Sequence, residues 1–210
     1  MTDRFPSADP TNPFATRYTR PGAVPFLFPA GRSAEQLVDE LARAGWTGAI
    51  VGPHGSGKST LLAALEPVLA RRGRRVLRWT LRDGQSALPR GWWRAVGDAP
   101  DALVVVDGYE QLGRWGRWDL TRRCRRRGWG LLVTCHQPVG LPTLYRIENR
   151  LEDVARVVGA LLAGLDANAR RMLQVPSDVI AESFHRRGGN CREVLFDLYD
   201  WVERNRLAAP

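Results

Sequence analysis

Gly52-Pro53-His54-Gly55-Ser56-Gly57-Lys58-Ser59 is the stretch that decides the reading of this chain. The spacing G-x-x-x-x-G-K-S has a mechanical logic. Glycines let successive backbone N–H groups turn toward one anion with no side chain in the way. A helix that starts there adds the positive end of its dipole. Lys58 reaches the β- and γ-phosphates of a nucleoside triphosphate, and Ser59 offers its hydroxyl to Mg²⁺. The expected nucleotide-binding residues are therefore Gly52, Pro53, His54, Gly55, Ser56, Gly57, Lys58, Ser59 and Thr60. His54 and Ser56 fill free positions of the motif.

Such a loop needs a strand before it and a helix after it, and the flanks supply both. Residues 46–51 read as a short buried strand, and Lys58 to Arg71 as a helix with Leu61, Leu62, Leu65 and Leu69 on its inner face. Pro67 predicts a kink or an early end to that helix. Of 31 basic residues, 30 are Arg. The single lysine is Lys58, at the one position where the loop requires it.

Outward from the loop, strands alternate with helices. Ser33 and Gln36 form a capping box ahead of Leu37, Val38 and Leu41. Strands are predicted at 74–81, 102–107, 130–134 and 143–147, with a short helix at 91–96 and an Arg-rich helix at about 116–127. Residues 102–107 (Ala-Leu-Val-Val-Val-Asp) are a continuous apolar run ending in a carboxylate, as suits a central parallel strand covered on both faces. A magnesium–triphosphate site draws a carboxylate from a neighbouring strand, and Asp107 is the best placed for it. An amphipathic helix over 151–162 and two further helices, capped by Ser177 and Asn190, close the chain. This pattern predicts an α/β, three-layer domain with a central, mainly parallel sheet, plus a small C-terminal helical lid. The expected boundaries are a Pro-rich arm at 1–32, a nucleotide-binding core at 33–163 and a lid at 164–210.

Composition narrows the class. No apolar stretch approaches the ~20 residues that span a bilayer. The first residues lack the layout of a signal peptide, which points to a cytoplasmic protein with no membrane partner. Three scattered cysteines argue against a disulfide framework, and no Cys/His cluster has zinc spacing. The net charge is +9. Arg114, Arg117, Arg122, Arg123, Arg125, Arg126 and Arg127 crowd one segment with Trp115, Trp118 and Trp129 among them. This is either a solvated face in an Arg-rich chain or a nucleic-acid-binding surface.

With Lys58 and Ser59 as Walker A and Asp107 as Walker B, residues 46–135 resemble the P-loop NTPases. The chain is similar to their additional-strand branch, the AAA+-like proteins among them. That resemblance implies an extra strand between the Walker A and Walker B strands, ending in a polar γ-phosphate sensor. Thr134 fills this role, with His136 as runner-up. The turn Gly189-Asn190-Cys191-Arg192 looks like the AAA+ lid turn, which implies that Arg192 acts on the nucleotide. AAA+ relatives often form rings, so the resemblance also implies a homo-oligomer or a partner protein. One departure stands out. The usual glutamate directly after the Walker B Asp is Gly108 here, and Glu110 is the nearest substitute.

The sequence thus predicts a nucleoside-triphosphate-binding protein using Mg-ATP, a small AAA+-like ATPase or ATP-dependent regulator. Its expected catalytic residues are Lys58, Asp107, Glu110, Thr134 and Arg192, and its metal-holding residues Ser59 and Asp107. Two other readings stay open: a nucleotide-dependent binding switch with little or no hydrolysis, and a P-loop kinase acting on a small molecule.

Overall fold

A computed structural model describes residues 12–207. The described residues contain five strands: β1 (Thr47–Val51), β2 (Arg75–Thr80), β3 (Ala102–Asp107), β4 (Gly130–Cys135) and β5 (Thr143–Arg146). They form one sheet in the order β2-β3-β4-β1-β5 with every pairing parallel. The expected α/β architecture is therefore present. The extra strand is also where the resemblance puts it, because β4 lies between β1 and β3.

By internal contacts the chain divides into two compact units. The first comprises 28–53 and 61–147 and contains the sheet. Alternation along the strands sorts its core into two layers. Ala49, Val51, Val104, Val106, Leu131 and Val133 pack on one face with Trp92 and Val96 of α4 (Trp92–Val96) and with Leu120 and Cys124 of α5 (Arg114–Arg127). The opposite face carries α2 (Ala34–Arg43) and α3 (Lys58–Arg71). A Cβ on Gly48 would meet Leu41 of α2, and the ion pairs Arg71–Glu35 and Arg72–Asp39 tie α3 to α2. The central strands β3 and β4 are buried along their whole length, which is why they read as unbroken apolar runs.

The helix after the loop runs uninterrupted to Arg71, with Pro67 inside it. Pro67 lies on the exposed side, where water can serve the carbonyl that loses its helical partner. The Ser33–Gln36 capping box forms in both directions. Arg-rich α5 begins at Arg114, two residues before the sequence boundary.

The second unit comprises 12–27, 54–60 and 148–207 among the described residues. It holds α1 (Thr16–Thr19), α6 (Leu151–Ala163), α7 (Ala167–Met172), α8 (Ser177–Arg186) and α9 (Cys191–Leu207). Helix α6, which the sequence assigns to the end of the core, packs here. Val154, Val158 and Leu161 join Ile180 of α8 and Val194, Leu198 and Val202 of α9. Phe14 from the Pro-rich segment is fully buried in the same cluster. Asn12 secures that segment by donating to the Tyr199 carbonyl and to Glu203, both at 2.8 Å. Ser177 is the first residue of α8 rather than its cap, a place taken by Pro176. Among the described residues, no helix is long and apolar enough to cross a membrane.

Candidate functional site

The glycine loop leaves the end of β1, where the Gly52 amide donates to the Cys135 carbonyl at the end of β4 (3.1 Å). The exit of the loop is thereby fixed one residue beyond Thr134. Further along, Gly55 and Gly57 have φ of +67° and +91°, the left-handed region that frees their amides to turn. Lys58 opens α3 and is largely buried, as is Ser56. The Ser56 hydroxyl has no hydrogen-bond partner. A buried polar group without a partner is costly, and a hydroxyl inside a phosphate cradle is satisfied by an anion's oxygen.

Within the helical unit, Gly55 lies hard against Asn190. A Cβ on Gly55 would sit 1.8 Å from Asn190 Oδ1 and 2.6 Å from its Cγ. Asn190 caps α9, accepting from the Glu193 amide at 3.3 Å. Arg192 follows two residues later, exposed, in the first turn of that helix. Phe26 approaches Gly57, 3.9 Å from the position a Cβ would take.

A second cluster forms where β3 and β4 end. Asp107 is 7% exposed. Its Oδ1 accepts from the Thr134 hydroxyl (2.7 Å) and its Oδ2 from Arg78 Nη2 (2.7 Å). Thr134 is completely buried, and its hydroxyl oxygen also accepts from the Gly108 amide (2.9 Å). Arg78, at the middle of β2, pairs its other terminal nitrogen with Glu66 of α3 (3.0 Å). The Asp107 carboxylate is thus held on both oxygens by the protein itself. Thr134, expected as a phosphate sensor, donates its hydroxyl to Asp107. Arg78 and Glu66 escaped the sequence reading. The only signal was one charge set between Leu77 and Trp79 in a strand, and it was lost among thirty arginines.

Gly108 has a backbone conformation that favours glycine. Its φ is +89°, and a Cβ there would lie 2.5 Å from the Leu81 backbone oxygen. A glutamate in the usual position is sterically closed. Glu110 sits instead in the one-turn 3-10 helix Tyr109–Gln111. Its Oε1 meets His136 Nε2 at 3.1 Å. Its Oε2 is buried with no partner. Arg117 of α5 donates to the Glu110 carbonyl (2.7 Å) and the Leu112 carbonyl (2.8 Å), which fixes this turn. The structure therefore brings Asp107, Thr134, Glu110 and His136 to one edge of the sheet unit, and Gly55 and Asn190 together in the helical unit.

Burial pushes the Cys124 thiol up to about 12 and that of Cys191 up to about 11, so both stay protonated at neutral pH. Among the described residues, no group of three or more His, Cys, Asp and Glu side chains is arranged to hold a metal. A divalent ion here would need the nucleotide's own oxygens, as Mg²⁺ in triphosphate sites does.

No family model and no curated protein matches the chain. Solved structures do. One described as a DNA replication initiation factor overlays with TM-score 0.54 at 16% identity, covering 82% of this chain and 62% of that one. A Walker-type ATPase of Pyrococcus abyssi overlays with TM-score 0.54 at 11% identity, covering 82% and 67%. AMPPCP-bound DnaA from Aquifex aeolicus reaches TM-score 0.49 at 15% identity over 80% and 61%, too low for the overlay to carry weight. The chain spans about three fifths of the length of the first and third of these.

Proposed function

We propose, from the premise that the fold is that of the P-loop NTPases in their AAA+-like branch, that this chain is a cytoplasmic Mg-ATP-binding protein that hydrolyses ATP. It would serve as a small ATPase or ATP-dependent regulator.

The loop residues fit a triphosphate. Two left-handed glycines turn amides toward an anion, Ser56 holds an unpaired buried hydroxyl, and Lys58 supplies the charge. Ser59 and Asp107 are the residues suited to Mg²⁺. With both its oxygens already bonded, Asp107 suits a hold through water rather than a direct bond. Bound Mg²⁺ supplies positive charge against the triphosphate. Arg192 adds charge from the first turn of α9, two residues from the Asn190 that abuts Gly55.

One observation carries the hydrolytic half, the unpaired Oε2 of Glu110. His136 holds the other carboxylate oxygen, so Oε2 is left to accept a proton from the attacking water. Glu110 would thereby do the work usually given to the residue after Asp107.

The reading of a binding switch without turnover is favoured by a different observation. Arg78 forms an ion pair with Asp107 and Thr134 hydrogen-bonds it, so the carboxylate proposed for Mg²⁺ is already partly neutralised by Arg78.

Phosphate release and nucleotide affinity for the wild type, Lys58→Ala and Glu110→Gln separate these readings. Lys58-dependent binding with phosphate release that falls about a hundredfold or more in Glu110→Gln supports hydrolysis through Glu110. Lys58-dependent binding without release establishes the switch. Turnover only with a small phosphoryl acceptor establishes a kinase, and binding indifferent to Lys58 overturns the whole reading.

A further inference from the structure

Helix α5 carries a surface that the nucleotide site does not use. Leu120 and Cys124 are its buried residues. On the opposite side, Arg114, Trp115, Trp118, Arg122, Arg125 and Arg126 fall within an arc of about 120° at 3.6 residues per turn, over a length of ~18 Å. All six are exposed. Trp115 is 82% exposed and Trp118 56%. The two indoles meet edge to face with centroids 6.2 Å apart, and the Arg122 guanidinium lies 5.2 Å from the Trp118 ring centre.

The arginines of the helix divide by task. Arg117 holds the Glu110 turn, Arg123 pairs with Asp119 and stacks over Trp93, and Arg127 pairs with Asp98. Among the described residues, no side-chain hydrogen bond or ion pair engages Arg114, Arg122, Arg125 or Arg126. These four and the two indoles are what the helix presents outward. Asp119, the one carboxylate in its sequence, is spent on Arg123.

We infer that this face of α5 binds single-stranded nucleic acid, with bases stacking on Trp115 and Trp118 and the phosphate backbone along Arg114, Arg122, Arg125 and Arg126. Charge complementarity selects a polyanion. The indoles select one with unpaired bases, because a ring standing on a protein surface cannot stack on bases already stacked in a duplex. A bilayer fits less well. Two indoles ringed by arginines are a small apolar face, and the remaining side of the helix is buried in protein. A second copy of the chain fits least, because each copy carries net charge +9 and presents this face as positive. This inference does not depend on ATP binding or hydrolysis.

The test is titration of fluorescently labelled oligo-dT and oligo-U into the full chain at low salt. Anisotropy is read together with tryptophan quenching, and vesicles of phosphatidylserine and phosphatidylcholine form a separate arm. The expected result is saturable binding with indole quenching and a log–log salt slope near −3 for about four phosphate contacts. Trp115→Ala/Trp118→Ala should weaken binding at least fivefold and leave the slope unchanged. Arg122→Glu/Arg126→Glu should flatten the slope by about one or more. All four side chains are exposed, so thermal midpoints should match the wild type and show that any loss is a loss of contact. The inference is overturned by absent oligonucleotide binding at low salt or by wild-type affinity in the double Trp variant. It is equally overturned by preference for a duplex of the same length, or by capture on vesicles with no oligonucleotide binding.

Discussion

Thr134 and Asp107 are joined by a buried 2.7 Å hydrogen bond, and the same threonine oxygen receives the Gly108 amide at 2.9 Å. One hydroxyl therefore sets both the Asp107 carboxylate and the peptide that follows it. Thr134→Val keeps the shape and removes both bonds, leaving an amide and a carboxylate oxygen unpaired in a buried place. The expected cost is about 3 kcal/mol in urea unfolding, with Thr134→Ser recovering most of it.

Arg78 neutralises Asp107 from within the sheet unit. Arg78→Met leaves the carboxylate with Thr134 as its sole partner and should cost about 2–4 kcal/mol, since one charge of a largely buried pair is removed. The freed charge should also raise the apparent Mg²⁺ affinity of the nucleotide complex, measured by titrating Mg²⁺ at fixed ATP. An unchanged Mg²⁺ midpoint would show that Arg78 is structural only.

Restoring the usual glutamate should fail. Gly108→Glu adds a Cβ 2.5 Å from the Leu81 oxygen at a φ of +89° and should destabilise by about 2–4 kcal/mol. Phosphate release should not rise. Gly108→Ala should show most of the same loss in stability, which places the fault in the backbone rather than in the new carboxylate.

Gly55 and Asn190 offer a relief test. Gly55→Ala should lose stability and nucleotide affinity, because its Cβ collides with the Asn190 amide. Adding Asn190→Gly removes that obstacle at a cap cost of only a few tenths of a kcal/mol. The double variant should be more stable than Gly55→Ala alone in thermal unfolding. Additive losses would show that the two residues do not touch.

Asp197 joins α8 to α9 and gives the helical unit an acid limit. Hydrogen bonding from Arg187 holds its carboxyl well below the usual carboxylate range against the opposing effect of burial, and Ser183 and Arg186 lower it further. A depressed carboxyl contributes stability that is complete above the unfolded value, near pH 4, and is lost as pH falls through the folded value. Asp197→Asn should lower the neutral-pH melting temperature and flatten its decline below about pH 4. A parallel acid decline in both proteins would exclude Asp197 as the source.

Much of this is legible in the amino-acid sequence. Residues 102–107 and 130–135 are unbroken apolar runs because both faces of a central strand are covered, so their burial is written into their composition. The loop announces itself through two glycines and the lone Lys58. Local pattern could not reveal partners distant in sequence. Arg78 reaches Asp107 across 29 positions and Thr134 across 27, and neither leaves a periodic trace. The close approach of Asn190 to Gly55 depends on where α9 begins in space, and a capping asparagine looks the same in sequence wherever its helix lies. The deficit at Gly108 was visible as a missing side chain. The left-handed backbone there and its close approach to Leu81 were not.

The contact between Gly108 and Leu81 narrows what substitution can do at this turn. At a φ of +89°, with the Leu81 oxygen 2.5 Å from where a Cβ would sit, an added side chain meets backbone rather than a flexible side chain that could swing aside. A carboxylate placed directly after Asp107 would first need the segment that follows β2 to withdraw, and that shift brings no benefit by itself. Protein engineering aimed at the proposed turnover therefore has more room at Glu110 than at position 108.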